Sequence, residues 1–523
     1  MTDIARDFHD ATKYTVLNEG QPDEDILMGT PPNLKPTIGE QSPSNEPHPF
    51  KLYTELNALT LPTEFPAFTM PVLDAIAASG EGTGASAMPD RAAIARICLL
   101  SNGILKRGSH GTGRVIEYRA AGGTGARYHL ELYVVCGDLT DLDAGVYHYS
   151  ASDQSLRCLR SGDYRAVLVE ATGSEPAVAM APAAIVATST FWRNAWRYQE
   201  RAYRHVFWDL GTVLANVLAV AASSELPAKV MMGFDDGMVN RLLDVDGERE
   251  ATVCLVPIGR TEVSQETPEL PPLHHATRPV SASELDFPAI QEMHAASSLA
   301  SGDAVAQWRS NRVATGPQTK RGDGIALRPF ETTSLPNMAA DEAIRRRRST
   351  RSYDIEAAIP FDVVSTMLDR SNRPMSADFL DSGAGPLIDQ YLIINNVADL
   401  EAGRYVVHAH ERSIERLAAG EFRSEATRLA CGQDYAGEGH VNIYYLADLE
   451  RLLDAYGNRG YRIAQLEGAL RAGKLHLAAH ALGLGAVGST SVDDEVTRFF
   501  SPHATGKSFM FVLVFGQRRT IRR

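Results

Sequence analysis

The stretch DLDAGVY, Asp141 to Tyr147, returns as DLEAGRY at Asp399 to Tyr405, so Gly145 meets Gly403 at a spacing of 258 residues. The same spacing carries Tyr198, Arg201, Tyr203 and Arg204 onto Tyr456, Arg459, Tyr461 and Arg462. It also carries Asp235 and Asp236 onto Asp493 and Asp494. An offset that stays constant across roughly a hundred residues marks an internal duplication, and such a repeat has to be recognised before any element is assigned.

Each copy shows the same order of elements. AAIARICLLSNGIL and FDVVSTMLDRSN carry apolar residues at helical spacing. HLELYVV and DQYLIIN then read as strands, with GVYHYS and GRYVVHA as hairpin partners. A long helix follows, YRHVFWDLGTVLANVLAVAASS in one copy and YRIAQLEGALRAGKLHLAAHALG in the other. The β-rich segments ATVCLVPIG and SFMFVLVFG close the pattern. Helices flanking a mixed, mostly antiparallel sheet give an α+β fold in each copy. The division is an irregular N-terminal arm over 1–50, a first domain over 51–260, a linker containing one helix (AIQEMHAASSLA) over 261–340, and a second domain over 341–523. The arm and linker are assigned from their Pro and small polar residues.

The 523 residues carry a formal net charge of -14, which argues against nucleic acid or an anionic membrane as a general partner. The N-terminus has no apolar signal region, and the longest apolar runs fall short of a membrane span, so a cytoplasmic location is expected. Five cysteines without a paired C-x-x-C spacing fit reduced thiols rather than a disulfide framework or a zinc site. Two strings look like phosphate motifs but lack the context. GLGAVG (483–488) follows a helix where a dinucleotide turn follows a strand, and reads as a helix end capped by glycine. TGKS (505–508) precedes a strand where a phosphate loop precedes a helix.

Against the acidic background, IRRRRSTRSYD (344–354) gathers five arginines within seven positions. Arg347, Arg348, Ser349 and Arg351 supply guanidinium forks and a hydroxyl at the spacing a phosphate dianion takes. Arg347-Arg348-Ser349-Thr350-Arg351 resembles the R-R-S-x-R signature that opens nitroreductase-family flavoproteins. FHDATKY (8–14), AGGTGARYHLELYVV, DLDAGVYHY, RYQERAYRHVFWDLGTVLANVLAVAA and MGFDD follow the order of the SagB-type dehydrogenase branch, which includes azoline oxidases.

The resemblance implies two nitroreductase-like domains paired as an intrachain pseudo-dimer, with FMN between them and hydride transfer through flavin N5. It implies a small-molecule or peptide-like substrate, with NAD(P)H as a further partner for a nitro or quinone reductase. A non-catalytic pseudo-dimer that holds flavin or a metabolite is the rival reading. DAIAASGEG (74–82) stands opposite EAIRRRRST (342–350), so the first copy's phosphate motif is degenerate, unless Arg107, Arg114 or Arg119 restores it. The intact site would use Ser489, Thr490 and Ser491, aligned with Met231, Met232 and Gly233, together with Arg518 or Arg519. The loop Ala120-Ala121-Gly122-Gly123-Thr124 would cover the flavin ring. Azoline oxidases of the branch carry a Lys-Tyr pair. Here the aligned positions are Arg197-Tyr198 and Ala455-Tyr456, leaving Tyr198, Tyr456 and Arg197 as the candidate catalytic residues.

Overall fold

The computed structural model describes residues 3–15, 43–80, 87–109, 115–261, 268–313, 322 and 324–519. The strands of the first copy are β1 (Ala58–Thr60), the hairpin β2 (Ile104–Ser109) and β3 (Val115–Arg119), β4 (Leu130–Cys136), β5 (Gly145–Ser150), β6 (Ser155–Ser161), β7 (Ala183–Thr190) and β8 (Glu250–Ile258). Six of them form one sheet in the order β1-β6-β5-β4-β7-β8. The second copy contributes β9 (Gly324–Ala326), β10 (Ile359–Pro360), β11 (Asp389–Ile394), β12 (Val397–Ala398), β13 (Gly403–His408), β14 (Ser413–Ala419), β15 (Val441–Ala447), β16 (Gly485–Ser489) and β17 (Ser508–Gly516). Its sheet runs β16-β17-β15-β11-β13-β14-β9. Both sheets are antiparallel throughout, and the two-residue pair β10/β12 is the one parallel pairing among the named strands. The 258-residue spacing places β5 on β13, β6 on β14 and β8 on β17 with identical bounds.

The long helices Ala202–Ser223 and Arg459–Ala481 pack against each other at the centre and bury nearly every residue. Small residues let them approach: a Cβ on Gly211 would lie 2.5 Å from Leu470 N, and one on Gly473 would lie 2.7 Å from Ala215 Cβ. Trp208 Nε1 donates across the contact to Gln465 Oε1 at 2.7 Å. Two ion triads tie the copies together reciprocally. Arg201 and Arg204 of the first copy meet Asp493 of the second, and Arg459 and Arg462 of the second meet Asp236 of the first. An isologous interface has this signature, here within one chain. The paired acids are Asp236 and Asp493, one residue off the alignment of Asp235 with Asp493.

The region read as an irregular arm opens with a helix, Asp3–Ala11, whose Ala5 and Phe8 are buried. Most of the remaining arm, residues 16–42, lies outside the described residues. The expected linker helix is Pro288–Ala296, and a second, unexpected one follows at Gly302–Ser310. The first two of these helices are counterparts. Arg204 donates to His9 O and Thr12 Oγ1, as Arg462 donates to His294 O and Ser297 Oγ. Tyr14 N donates to Asp493 Oδ2 at 2.8 Å, as Leu299 N donates to Asp236 Oδ2 at 2.9 Å. The duplication therefore includes a helix upstream of each domain.

Gly483 takes φ +81° just beyond the second long helix, as its reading as a cap requires. One stretch, Phe191–Ser223, proves long and apolar enough for a membrane span, contrary to the sequence expectation. Of its most apolar window, 83% is buried inside the protein.

Candidate functional site

The five arginines separate into distinct roles. Arg346 pairs with Glu342 one helical turn back, and Arg345 reaches Thr63 O at 3.5 Å. Arg347 is half-buried and donates from Nε to Ala120 O at 3.1 Å, which brings the second copy's motif onto the first copy's covering loop. Arg348, Ser349 and Arg351 are exposed, and their side chains make no hydrogen bond or ion pair to a described residue. The strand-like bridge of Ser349 to Ala486 and the bond from Thr350 N to Ala486 O fix this segment beside β16.

Sequence reasoning missed the support beneath it. His476 and His480, one turn apart on the second long helix, stack at 5.5 Å, and both lie 3.2–3.3 Å from Arg348 O. Arg518 donates twice to Leu484 O, at 2.9 and 2.7 Å, and lies 3.2 Å from His480 Nδ1. His480 Nε2 lies 3.2 Å from both Arg348 N and Arg348 O, so the imidazole is pinned to the arginine segment's backbone on one side and to Arg518 on the other. Burial, then Arg518, pushes the His480 imidazole down to about 4, so it is neutral and adds no charge to the cluster. Arg519 instead faces Glu438 at 3.5 Å.

The covering loop is held from below. Thr124 donates from its N and Oγ1 to Asp209 at 2.7–2.9 Å, and Thr212 Oγ1 donates to Gly122 O at 2.7 Å. Asp209 is backed in turn by buried His129 at 3.0 Å, which contacts Ser189 Oγ at 2.9 Å. Ala120 and Ala121 are buried, while a Cβ on Gly122 would sit 3.6 Å from Arg347 Nη1. Gly125 has φ +58°, and a Cβ there would stand 2.6 Å from Tyr198 Oη, so only glycine fits against that hydroxyl. Burial raises the Tyr198 phenol, and Arg197, Arg127 and Arg351 oppose the rise. Arg197 lies over the Tyr198 ring, 5.5 Å from its centroid.

On the facing wall Ser489 Oγ meets Tyr435 Oη at 2.6 Å, and Thr490 Oγ1 accepts from Arg201 at 2.9 Å. Ser491 Oγ is buried with no partner among the described residues. The structure thus gathers the covering loop, Tyr198, Arg347, Arg348, Ser349, Arg351, Ser489, Thr490, Ser491 and Arg518 around one junction between the copies.

Tyr456 stands apart at the related junction, with its hydroxyl donating to Phe379 O at 2.9 Å and accepting from Val313 N at 3.1 Å. There the arginine-free segment is bonded to backbone from both copies. Ser79 O accepts from Ser376 N at 2.6 Å and Gly80 O from Ala228 N at 3.0 Å. Arg107 pairs with Glu117 on the β2/β3 hairpin, and Arg119 donates to Pro49 O and Leu130 O, so neither supplies the missing charge. Arg114 lies outside the described residues.

A crystal structure of a nitroreductase-like protein from Anabaena variabilis matches 99% of both chains with a TM-score of 0.74 at 24% identity. A nitroreductase-like protein of Methanocaldococcus jannaschii is 27% identical over 143 residues, 27% of this chain and 71% of that one. An FMN-dependent nitroreductase of Clostridium difficile covers 34% of this chain and 87% of its own, at 14% identity and a TM-score of 0.24. The family model described as Nitroreductase family matches residues 104–260 and 344–514, one region in each copy and together more than half of the sequence, and the chain belongs to that family.

Proposed function

We propose that this chain is an FMN-dependent oxidoreductase of the SagB-type dehydrogenase kind, holding one flavin per polypeptide at the junction built on Arg347–Arg351. The observation that carries the reading is the exposed set Arg348, Ser349 and Arg351, whose side chains bond no described residue, in an acidic protein many of whose other described arginines are paired. Such a set is suited to a phosphate dianion, and Arg347 and Arg518 converge on the same place. The orphaned Ser491 hydroxyl and the side-chain-free Gly122 and Gly123 fit a planar polar ring between the two walls. Bound there, FMN would supply hydride transfer at N5.

The chain's own residues orient and protonate. Tyr198 keeps its proton at neutral pH, because burial raises its phenol, and can donate a hydrogen bond into the cleft. Arg197 occupies the place of the lysine in azoline oxidases and cannot serve as a base at neutral pH, so azoline oxidation through that pair is not expected. The substrate class we favour is a small heterocycle or peptide-like molecule that gives up hydride. Reduction of nitroaromatics or quinones by NAD(P)H is the alternative direction.

The purified protein should be yellow, or apoprotein should gain flavin absorbance when titrated with FMN to one equivalent. Anaerobic addition of NADH or NADPH then sorts the two directions by bleaching or its absence. A colourless apoprotein that binds no FMN refutes the proposal.

A further inference from the structure

The second junction is filled by protein. Met232 and Gly233 are the counterparts of Thr490 and Ser491, and their N–H groups donate to the buried Asp378 carboxylate at 2.9 and 2.7 Å. Trp308, on the helix Gly302–Ser310, covers Gly233 so closely that a Cβ there would meet its ring at 2.6 Å. The same indole packs on Tyr456, the counterpart of Tyr198, at 5.4 Å between ring centroids, and donates to Tyr456 O at 3.1 Å. The helix that carries it is locked by Arg309, which donates to Thr172 O and Gly173 O.

A planar aromatic therefore touches the residues equivalent to both walls of the flavin junction, and an acidic acceptor takes the two backbone donors between them. We infer that the helix Gly302–Ser310 and Asp378 are a built-in occupant of the second junction. The Trp308 ring and the Asp378 carboxylate stand in for a planar heteroaromatic ligand bearing an acceptor oxygen. The inference rests on the single-flavin reading above for what the junction once held. It explains why the first copy could lose its arginines without leaving an open pocket: two apolar walls facing water would be costly, and Trp308 covers them.

Removing the occupant should restore a ligand site for a flavin ring that needs no phosphate. In Trp308→Ala/Asp378→Ala, with the first junction saturated by FMN, lumichrome should bind with one further equivalent that the wild type lacks. The difference between variant and wild type is measured by quenching of lumichrome fluorescence. A folded double variant that binds no more lumichrome than the wild type overturns the inference. Trp308→Ala alone should lower the melting temperature by roughly 5 °C or more, and millimolar indole should recover part of that loss. No recovery likewise overturns the inference, including when the double variant does not fold. Failure of FMN to bind at all would instead refute the single-flavin reading, and the extra lumichrome site would still be measurable.

Discussion

Replacing Asp493 or Asp236 by asparagine tests how the two copies are joined and which junction carries the ligand. Asp493 holds Arg201 at 3.0 Å and also Arg204, with its side chain 1% exposed, and accepts from Tyr14 N at 2.8 Å. Asp236 holds Arg459 at 2.6 Å and Arg462 at 2.9 Å, is 4% exposed, and accepts from Leu299 N. Burial would raise both carboxyl groups, yet the paired arginines outweigh it and hold them below the ordinary range. Losing either charge leaves two guanidinium groups buried without a counterion, which costs about 3–5 kcal/mol. Urea unfolding of either variant should show that loss as a lower midpoint with an unchanged slope. The effects on ligand should differ. Arg201 also donates to Thr490 Oγ1, so Asp493→Asn loosens the wall of the first junction and should weaken FMN by about tenfold, the equivalent of ~1.4 kcal/mol. Arg459 instead donates to Met232 O in the filled junction, so Asp236→Asn should leave FMN affinity within about twofold. Equal losses of FMN in the two variants, or a stability loss under about 1 kcal/mol, would refute the reasoning.

Three further outcomes follow. Arg351→Ala should weaken FMN ten- to a hundredfold, the value of one charge-assisted contact at roughly 1.5–3 kcal/mol, while Ser79→Ala in the degenerate segment should leave isothermal titration unchanged. His480 has a folded value of about 4 against an ordinary 6.5, so the unfolded chain takes up a proton that the folded chain refuses. Its stabilising contribution is complete above pH 6.5 and is lost as pH falls toward 4, and His480→Gln should reduce the slope of stability against pH in that window without abolishing it, because buried His9, His205, His294 and His476 are also held low. Asp209→Ala removes the acceptor for Thr124, so hydrogen exchange at residues 120–126 should quicken while the two long helices stay protected.

The fold could be read from the sequence where apolar period and repeat spacing agree. Strand alternation and the long apolar helices each follow from local composition, and a constant 258 residues carries one onto the other. Where the spacing changes, the reading stops. His9, Thr12 and Tyr14 correspond to His294, Ser297 and Leu299 at 285 residues, and only the histidine is identical, so a search at fixed offset passes over the upstream helices. Helix Asp3–Ala11 is short and rich in acids, which resembles an arm by composition, yet Ala5 and Phe8 bury one face against the core. The small and polar residues around Gly302–Ser310 likewise hide a helix that is held by tertiary contacts.

The candidate site divides in the same way. The arginine motif is local in sequence and was visible. Asp209, His129, His476 and His480 act through contacts between elements far apart in the chain, and the available signal was only their polarity inside otherwise apolar helices and strands. The asymmetry of the two junctions needs both kinds of information. The absence of Arg from 74–82 removes the local charge a phosphate would pair with, but says nothing about the space at that junction. That space is closed by Trp308 and Asp378, residues outside the degenerate motif. A duplicated chain is free to let one junction drift only if other parts of the same chain cover its apolar walls and satisfy its backbone donors, because an open cleft with unpaired N–H groups would be penalised in every molecule. Asp378 satisfies the Met232 and Gly233 donors, and Trp308 covers the wall formed by Gly233 and Tyr456. Charge is thus needed only at the other junction, where the side chains of Arg348, Ser349 and Arg351 bond no described residue and stay available to the phosphate of the flavin we propose.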